Sequence, residues 1–162
     1  DPDKNARRLD LAELARRVYV DKSYEAGDAG LKFDLKIESE PLEIDGDEEA
    51  LNQLIVNLVD NAIKYNRDGG KVEMKLCKRG LIGLVQVKDT GIGISSDEKE
   101  RIFERFYRVD KARAKIAGGT GLGLAIVKHI AQAHKGSVTV DSQLEKGSIF
   151  SVNIPLAEQN LH

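Results

Sequence analysis

Two runs of alternating residues, each folded back at a glycine turn, limit this chain to a largely antiparallel sheet. The first spans about 71–79 and 82–89, opened by Asp68-Gly69-Gly70 and turned at Arg79-Gly80. The second spans about 137–143 and 147–154, meeting at Glu145-Lys146-Gly147. Two further short strands are predicted at 31–37, where Leu31-Lys32-Phe33-Asp34-Leu35-Lys36-Ile37 alternates, and around 42–45. Helical spacing marks three other segments. Leu11, Leu14, Ala15 and Val18 follow the N-cap residue Asp10 over 10–26, Asp47 caps the strongest helix at roughly 48–65, and a third covers about 121–134 before Lys135-Gly136. The stretch 90–120 is polar and glycine-punctuated, with a short helix expected near 97–102. The order α-β-β-α-β-β-loop-α-β-β places strands in antiparallel pairs and leaves helices to cover one face. It predicts a two-layer α/β sandwich, a mixed but mainly antiparallel sheet under about three helices, rather than a doubly wound parallel sheet.

Size and composition suit that architecture. A chain of 162 residues has about one domain's worth of core, and 41% hydrophobic with 32% charged residues is a globular balance. The net charge of -2 offers no bulk attraction to nucleic acid or an anionic membrane. No apolar run approaches the ~18 residues that span a bilayer. The lone Cys77 lies in an alternating run and is expected to fill a strand position. The opening Asp1-Pro2-Asp3-Lys4, without an initiator Met, reads as an excised fragment.

Chemistry concentrates in four blocks. On the strongest helix, Leu51, Leu54, Ile55, Val56, Leu58, Val59, Ala62 and Ile63 share one arc. Gln53, Asn57, Asp60, Asn61 and Lys64 share the other, with Asn57, Asn61 and Lys64 at i, i+4, i+7 along one line. Asparagine is a poor helix former, so two on one stripe ask for a reason beyond folding. An amide oxygen is a hard ligand suited to Mg2+, and a lysine one turn on can reach phosphates as a point charge. An ordinary solvated face is the plainer account of this helix alone.

The strand Leu84-Val85-Gln86-Val87 leads into Asp89-Thr90-Gly91-Ile92-Gly93-Ile94. A sheltered carboxylate there can accept the amino hydrogen of adenine, and Gly91 and Gly93 would let the backbone turn and a flat ring approach. The same tripeptide serves aspartic proteases, but no second aspartate stands in a comparable setting. Phe103-Glu104-Arg105-Phe106 reads either as a satellite core or as the anchor of a lid. The basic Lys111, Arg113 and Lys115 follow, and such a stretch can close on a ligand. In Gly119-Thr120-Gly121-Leu122-Gly123-Leu124, Thr120 can cap a helix whose N–H groups and dipole favour an anion. Neither a P-loop nor a Rossmann fingerprint fits the spacing.

In this order the four blocks resemble the catalytic, ATP-binding domain of sensor histidine kinases, in wording nearest the phosphate-sensor and cell-wall-sensor branch. The likeness covers about residues 10–156. It implies the Bergerat sandwich shared with gyrase, heat-shock chaperone ATPases and mismatch-repair ATPases. It also implies ATP and Mg2+ as cofactors. Asn61 would coordinate the metal with Asn57 beside it, Lys64 and Arg108 would contact phosphates, and Tyr65 would lie near the nucleotide. Asp89 would bind the adenine amine, with Gly91, Gly93 and Ile94 shaping the pocket and Gly119, Thr120, Gly121, Leu122 and Gly123 flanking the phosphates. Asn57, Lys64 and Arg108 would form the catalytic set.

By the same resemblance, residues 1–9 would be a linker remnant from a dimerisation domain, 10–156 the catalytic domain with a lid at about 95–120, and 157–162 a tail. The implied partners are a histidine-bearing dimerisation domain of the same protein and a response regulator receiver domain, with no nucleic acid. The parent would be a membrane-anchored homodimer with this part in the cytoplasm, and the fragment itself a monomer. Three departures matter. No phosphoacceptor block is present: His129, His134 and His162 do not supply it, and His134, before a helix stop, is expected at a cap or in solvent. Asn57 stands where hydrolysing relatives carry a glutamate base, so hydrolysis would be slow. Asn66 replaces a common Ser or Thr, with no evident consequence. The competing readings are a stand-alone ATPase of the gyrase or chaperone kind and a degenerate, nucleotide-free binding module.

Overall fold

The computed structural model describes residues 5–105, 107 and 123–158. Along these the order is β1 (Arg7–Asp10), α1 (Leu11–Asp28), β2 (Lys32–Ile37), β3 (Glu43–Gly46), α2 (Glu48–Lys64), β4 (Lys71–Arg79) and β5 (Ile82–Asp89). Then come α3 (Ser96–Lys99), the described part of α4 (Gly123–Ala133), β6 (Ser137–Gln143) and β7 (Gly147–Pro155). Five strands form one sheet in the order β2-β4-β5-β7-β6. Both predicted hairpins are there, Arg79 facing Ile82 and Gln143 facing Gly147 in register.

Two features depart from the predicted pairing. Strand β2 joins β4 in parallel, Lys32 opposite Lys71 through Ile37 opposite Leu76, because α2 carries the chain back across the sheet between them. The strand predicted near 42–45 leaves the main sheet altogether. It pairs antiparallel with β1, Arg7 opposite Gly46 and Asp10 opposite Glu43. Residues 7–9, read from sequence as linker, therefore belong to a strand. Four residues, two of them exposed arginines, carry no alternation to betray it.

The helices lie on one face. The apolar arc of α2 is buried from Leu51 to Ile63. It shares one core with Val72, Met74 and Leu76 of β4, Val85 and Val87 of β5, and Phe150, Val152 and Ile154 of β7. Val56 packs against its edge, and Lys22 of α1 reaches Asp60 of α2 at 2.7 Å. Cys77 is buried within β4, opposite Leu84. Both expected N-caps form: Asp10 accepts from Ala12 N–H at 2.9 Å, and Asp47 from Ala50 N–H at 3.2 Å. Asp10 Oδ1 also accepts from Leu42 N–H at 2.9 Å, which ties β1 to the approach to β3.

Of the two places expected for His134, a cap or solvent, the structure keeps the cap and excludes solvent. The residue is buried, with Nδ1 2.8 Å from Ile130 O and Nε2 accepting from Asp47 N–H at 3.1 Å. An acceptor role for Nε2 leaves the ring hydrogen on Nδ1, so the neutral tautomer is set by its neighbours. A Cβ on Gly46 would come within 2.7 Å of the ring, so glycine there makes room for it. The histidine thus bolts the end of α4 to the start of α2. His134→Ala leaves the Asp47 N–H unpaired and should cost about 1–3 kcal/mol, a fall in Tm of roughly 2–10 °C in a thermal melt. Gly46→Ala should also lower Tm.

Candidate nucleotide site

The centre of the site is Asp89, at the last position of β5 and 5% exposed. Its Oδ1 accepts from Gly91 N–H at 2.8 Å, and the Ser148 N–H bonds the same carboxylate. Burial nonetheless dominates and pushes its pKa up to about 6, against the downward pull of those two N–H groups. At neutral pH the group is an ionised acceptor held in a dry setting.

A hydroxyl pair backs it. Ser142 and Ser148 are both buried, their oxygens 2.7 Å apart. Ser142 Oγ donates to Gly147 O at 2.8 Å and accepts from Ile94 N–H at 2.8 Å. Having spent its one hydrogen, Ser142 must accept from Ser148, so the chain of hydroxyls has a single direction. Neither serine carries a sequence signature, since small polar residues near hairpin turns are commonplace.

The glycines work differently from the expected close approach of a ring. A Cβ on Gly91 would sit 2.1 Å from Tyr65 O, and Ile92 N–H donates to that same carbonyl at 3.0 Å. Gly93 has φ +72°, and its Cβ would sit 1.9 Å from Gln143 O. Protein backbone, not open space, occupies the room both glycines leave. The turn after Asp89 is therefore wedged between the end of α2 and the end of β6. Ile94 is buried in the main core.

On α2, Asn57, Asn61, Lys64 and Tyr65 are half-buried. Asn57 Nδ2 donates to Gly123 O at 3.3 Å, joining α2 to the first described turn of α4. Lys64 Nζ lies 5.2 Å from the centre of the Tyr65 ring. One helix thus touches α4 through Asn57 and the Asp89 turn through Tyr65. Arg108, Gly119, Thr120, Gly121 and Leu122 fall outside the described residues, as does Phe106.

Asn66 reverses its expected lack of consequence. It is 3% exposed; its Oδ1 accepts from Arg67 N–H at 2.9 Å and Thr90 Oγ1 at 3.2 Å, while Nδ2 donates to Lys71 O at 2.9 Å. Thr90 Oγ1 in turn accepts from Lys71 N–H at 2.8 Å. This side chain joins the end of α2, the start of β4 and the Asp89 turn. The signal available in the sequence was an asparagine ahead of Asp68-Gly69-Gly70, where its amide commonly bonds nearby backbone.

The Phe103-Glu104-Arg105-Phe106 block is partly in view, and Ile102 before it joins the main core with Phe103 packed against it. Phe103 meets Phe150 edge-on with ring centres 6.2 Å apart, Ile102 is buried, and Tyr107 OH donates to Glu98 Oε1 at 2.8 Å. A groove of about 530 Å³ runs beside it, lined among the described residues by Phe103, Arg105 and the Ala125–Gln132 stretch of α4, and by nothing from the Asp89 turn. The buried carboxylate, not this groove, marks the site, because among the described residues only there do backbone donors and burial converge on one buried charge.

The chain is similar in sequence and in fold to sensor histidine kinases. The sensor histidine kinase RppB of Synechocystis sp. is 49% identical over 111 residues, which is 68% of this chain and 24% of that protein. The sensor-like histidine kinase SenX3 of Mycolicibacterium smegmatis is 54% identical over 110 residues, 68% of this chain and 29% of that protein. The chain thus spans about a quarter of the length of the curated relatives it matches. Among solved structures, the nucleotide-free catalytic domain of histidine kinase ThkA superposes with a TM-score of 0.81 at 28% identity, covering 93% of this chain and 95% of that one. A ThkA chain in complex with the response regulator TrrA superposes with a TM-score of 0.78 at 27% identity, over 94% of this chain and 42% of that one. The family model describing a histidine kinase-, DNA gyrase B-, and HSP90-like ATPase matches residues 46–158, from the start of α2 through the last described strand, and the chain belongs to that family.

Proposed function

We propose that this chain is the ATP-binding catalytic domain of a two-component sensor histidine kinase, passing the γ-phosphoryl group of ATP to a histidine on a separate dimerisation domain. Membership of an ATPase family makes ATP the nucleotide. The observation that carries the reading is the buried Asp89, wedged against the helix that bears Asn57, Asn61 and Lys64. An ionised carboxylate in that place accepts the amino hydrogens of adenine and rejects a ring that presents an oxygen there.

The donor set suits a divalent cation. Asn61 offers a neutral amide oxygen on the half-buried face of α2, and Mg2+ takes few protein ligands beside phosphate oxygens and water. Asn61 would hold it with Asn57 alongside; bound there, the ion neutralises triphosphate charge. Lys64 and Arg108 would hold the phosphates as cations, with Tyr65 near the nucleotide and Gly119, Thr120, Gly121, Leu122 and Gly123 flanking the triphosphate. Phosphoryl transfer is mostly positioning and charge stabilisation, so Asn57, which is no base, suffices when the acceptor is a nucleophilic imidazole. Relay to a response regulator follows the precedent of the ThkA complex. The parent would be a homodimer anchored in a membrane, with this domain on the cytoplasmic side. No helix among the described residues is long and apolar enough to cross a membrane.

Three outcomes test the reading. First, Asp89→Asn presents a donor to adenine where an acceptor is needed, and Asn61→Ala removes the metal ligand. Each should weaken Mg2+-dependent binding of an ATP analogue by about tenfold or more in calorimetry, and unchanged affinity in both would reject the site. Second, pH should act on affinity and stability with opposite signs. Folding raises the Asp89 pKa from 3.8 to about 6, so the folded chain holds that proton more tightly than the unfolded one. The buried charge therefore costs stability above pH 6, on the order of 1–3 kcal/mol, and the cost fades as pH falls from 6 towards 4. Affinity for the nucleotide should instead drop below pH 6, and Asp89→Asn should hold or raise Tm at pH 7.5 while losing binding. Third, the chain with labelled ATP, Mg2+ and an added histidine-bearing dimerisation domain should place label on that histidine, with slow turnover in its absence. Rapid hydrolysis by the chain alone would favour the ATPase reading.

A further inference from the structure

Three loops meet beside the Asp89 turn, and one guanidinium spans them. Arg67, in the loop after α2, directs Nη2 to Gly91 O at 3.2 Å, Glu145 O at 2.8 Å and Glu145 Oε2 at 3.0 Å. Glu145 sits in the β6–β7 turn, and its own N–H donates to Ile92 O at 2.7 Å. The carbonyls of two successive residues, Gly91 and Ile92, are thus held by Arg67 and Glu145. The N–H groups of the same two residues are held by Asp89 Oδ1 and Tyr65 O. Every hydrogen-bonding backbone group of this dipeptide is engaged, one of them by the Asp89 carboxylate itself.

Glu145 occupies its place against a conformational penalty. Its φ is +67°, a region that side-chain-bearing residues seldom adopt and that glycine would enter freely. What glycine could not supply is the carboxylate on Arg67.

We propose that Arg67 and Glu145 are positioning residues for nucleotide recognition: a two-residue clamp that fixes the Gly91-Ile92 peptides, and through them the carboxylate of Asp89, so that the adenine edge is read in one orientation. This rests on the nucleotide reading above and deepens it. Neither residue touches the base; both act through the turn. Their side chains are 45% and 57% exposed, so the ion pair adds little stability of its own; what the Glu145 carboxylate does is hold the guanidinium in place on Gly91 O, while the bond to Ile92 O comes from the Glu145 backbone and survives substitution there. The expected effect is correspondingly modest, and it falls on selectivity as well as affinity.

Calorimetric titration of the chain with Mg·ADP and Mg·GDP, alongside thermal melts, tests this in Arg67→Ala, Glu145→Gly and the double variant. Glu145→Gly should keep or raise Tm, since the strained φ is relieved, yet bind ADP about two- to fivefold more weakly and discriminate less against GDP. Arg67→Ala should lose ADP affinity to a similar degree, and the double variant should be no worse than the single ones, as expected of coupled partners. ADP binding and selectivity unchanged in both single variants would overturn the clamp, as would losses that simply add in the double variant. A wild-type chain that binds no adenine nucleotide, or an Asp89→Asn chain that binds as well as wild type, would overturn the nucleotide reading and the clamp together. Intact wild-type binding, lost in Asp89→Asn but untouched in the clamp variants, would remove the clamp alone.

Discussion

The structure depends on one contact between main-chain atoms: the carbonyl of Tyr65, at the end of α2, receives the N–H of Ile92 and lies where a side chain on Gly91 would have to be. It locks the helix that carries the amide stripe to the strand end that carries the acid. A single methyl group at Gly91 would force those two elements apart. Everything else at that corner (the Asn66 junction, the serine hydroxyls, the Arg67 bridge) reinforces a spacing that this contact sets. Such a spacing suits a ligand with two chemically different ends, because base and phosphates must be gripped at a fixed separation.

The acid itself shows how function and stability oppose each other here. A carboxylate at 5% exposure with two backbone donors is not fully compensated, and its pKa rises to about 6 despite them. The two N–H groups offset only part of the desolvation, and the fold carries the rest as a stability cost at neutral pH; under the proposed function, that cost is what keeps an ionised acceptor in this place.

What could be read from the residues and what could not divides along physical lines. The α2 face, the two hairpins, the caps at Asp10 and Asp47 and the place of Asp89 at a strand end all follow from local periodicity or local side-chain chemistry. The parallel pairing of β2 with β4 and the short β1–β3 ladder do not, because strand partners are chosen by the whole fold and four-residue strands have too few positions to show a period. His134 is the clearest case on the other side. Ahead of a Lys135-Gly136 stop it reads as a cap or a solvent residue; it does close the end of α4 on Ile130 O, yet tertiary packing also buries it and turns its ring into a fastener between two helices. The roles of Asn66, Ser142 and Ser148 were only half legible: Arg67 and Lys71 lie close to Asn66 in sequence and Gly147 close to Ser142, but Thr90 and Ile94, which tie these side chains to the Asp89 turn, come from distant segments. For Gly91 and Gly93 the sharp turn was legible, and Gly93 has φ +72°, but the main chain that fills the room they leave was not.

The pairing of β5 with β7 has one more consequence. Eight consecutive residue pairs, from Ile82 opposite Pro155 to Asp89 opposite Ser148, seal the ends of a long excursion that includes α3 and α4. Once a chain closes on itself in this way, the entropy of closure grows only with the logarithm of the contour, about 0.6 kcal/mol for each doubling. A change of length in the loops of that excursion, such as the one after α3, therefore costs the sheet little, while the eight paired positions hold its ends together.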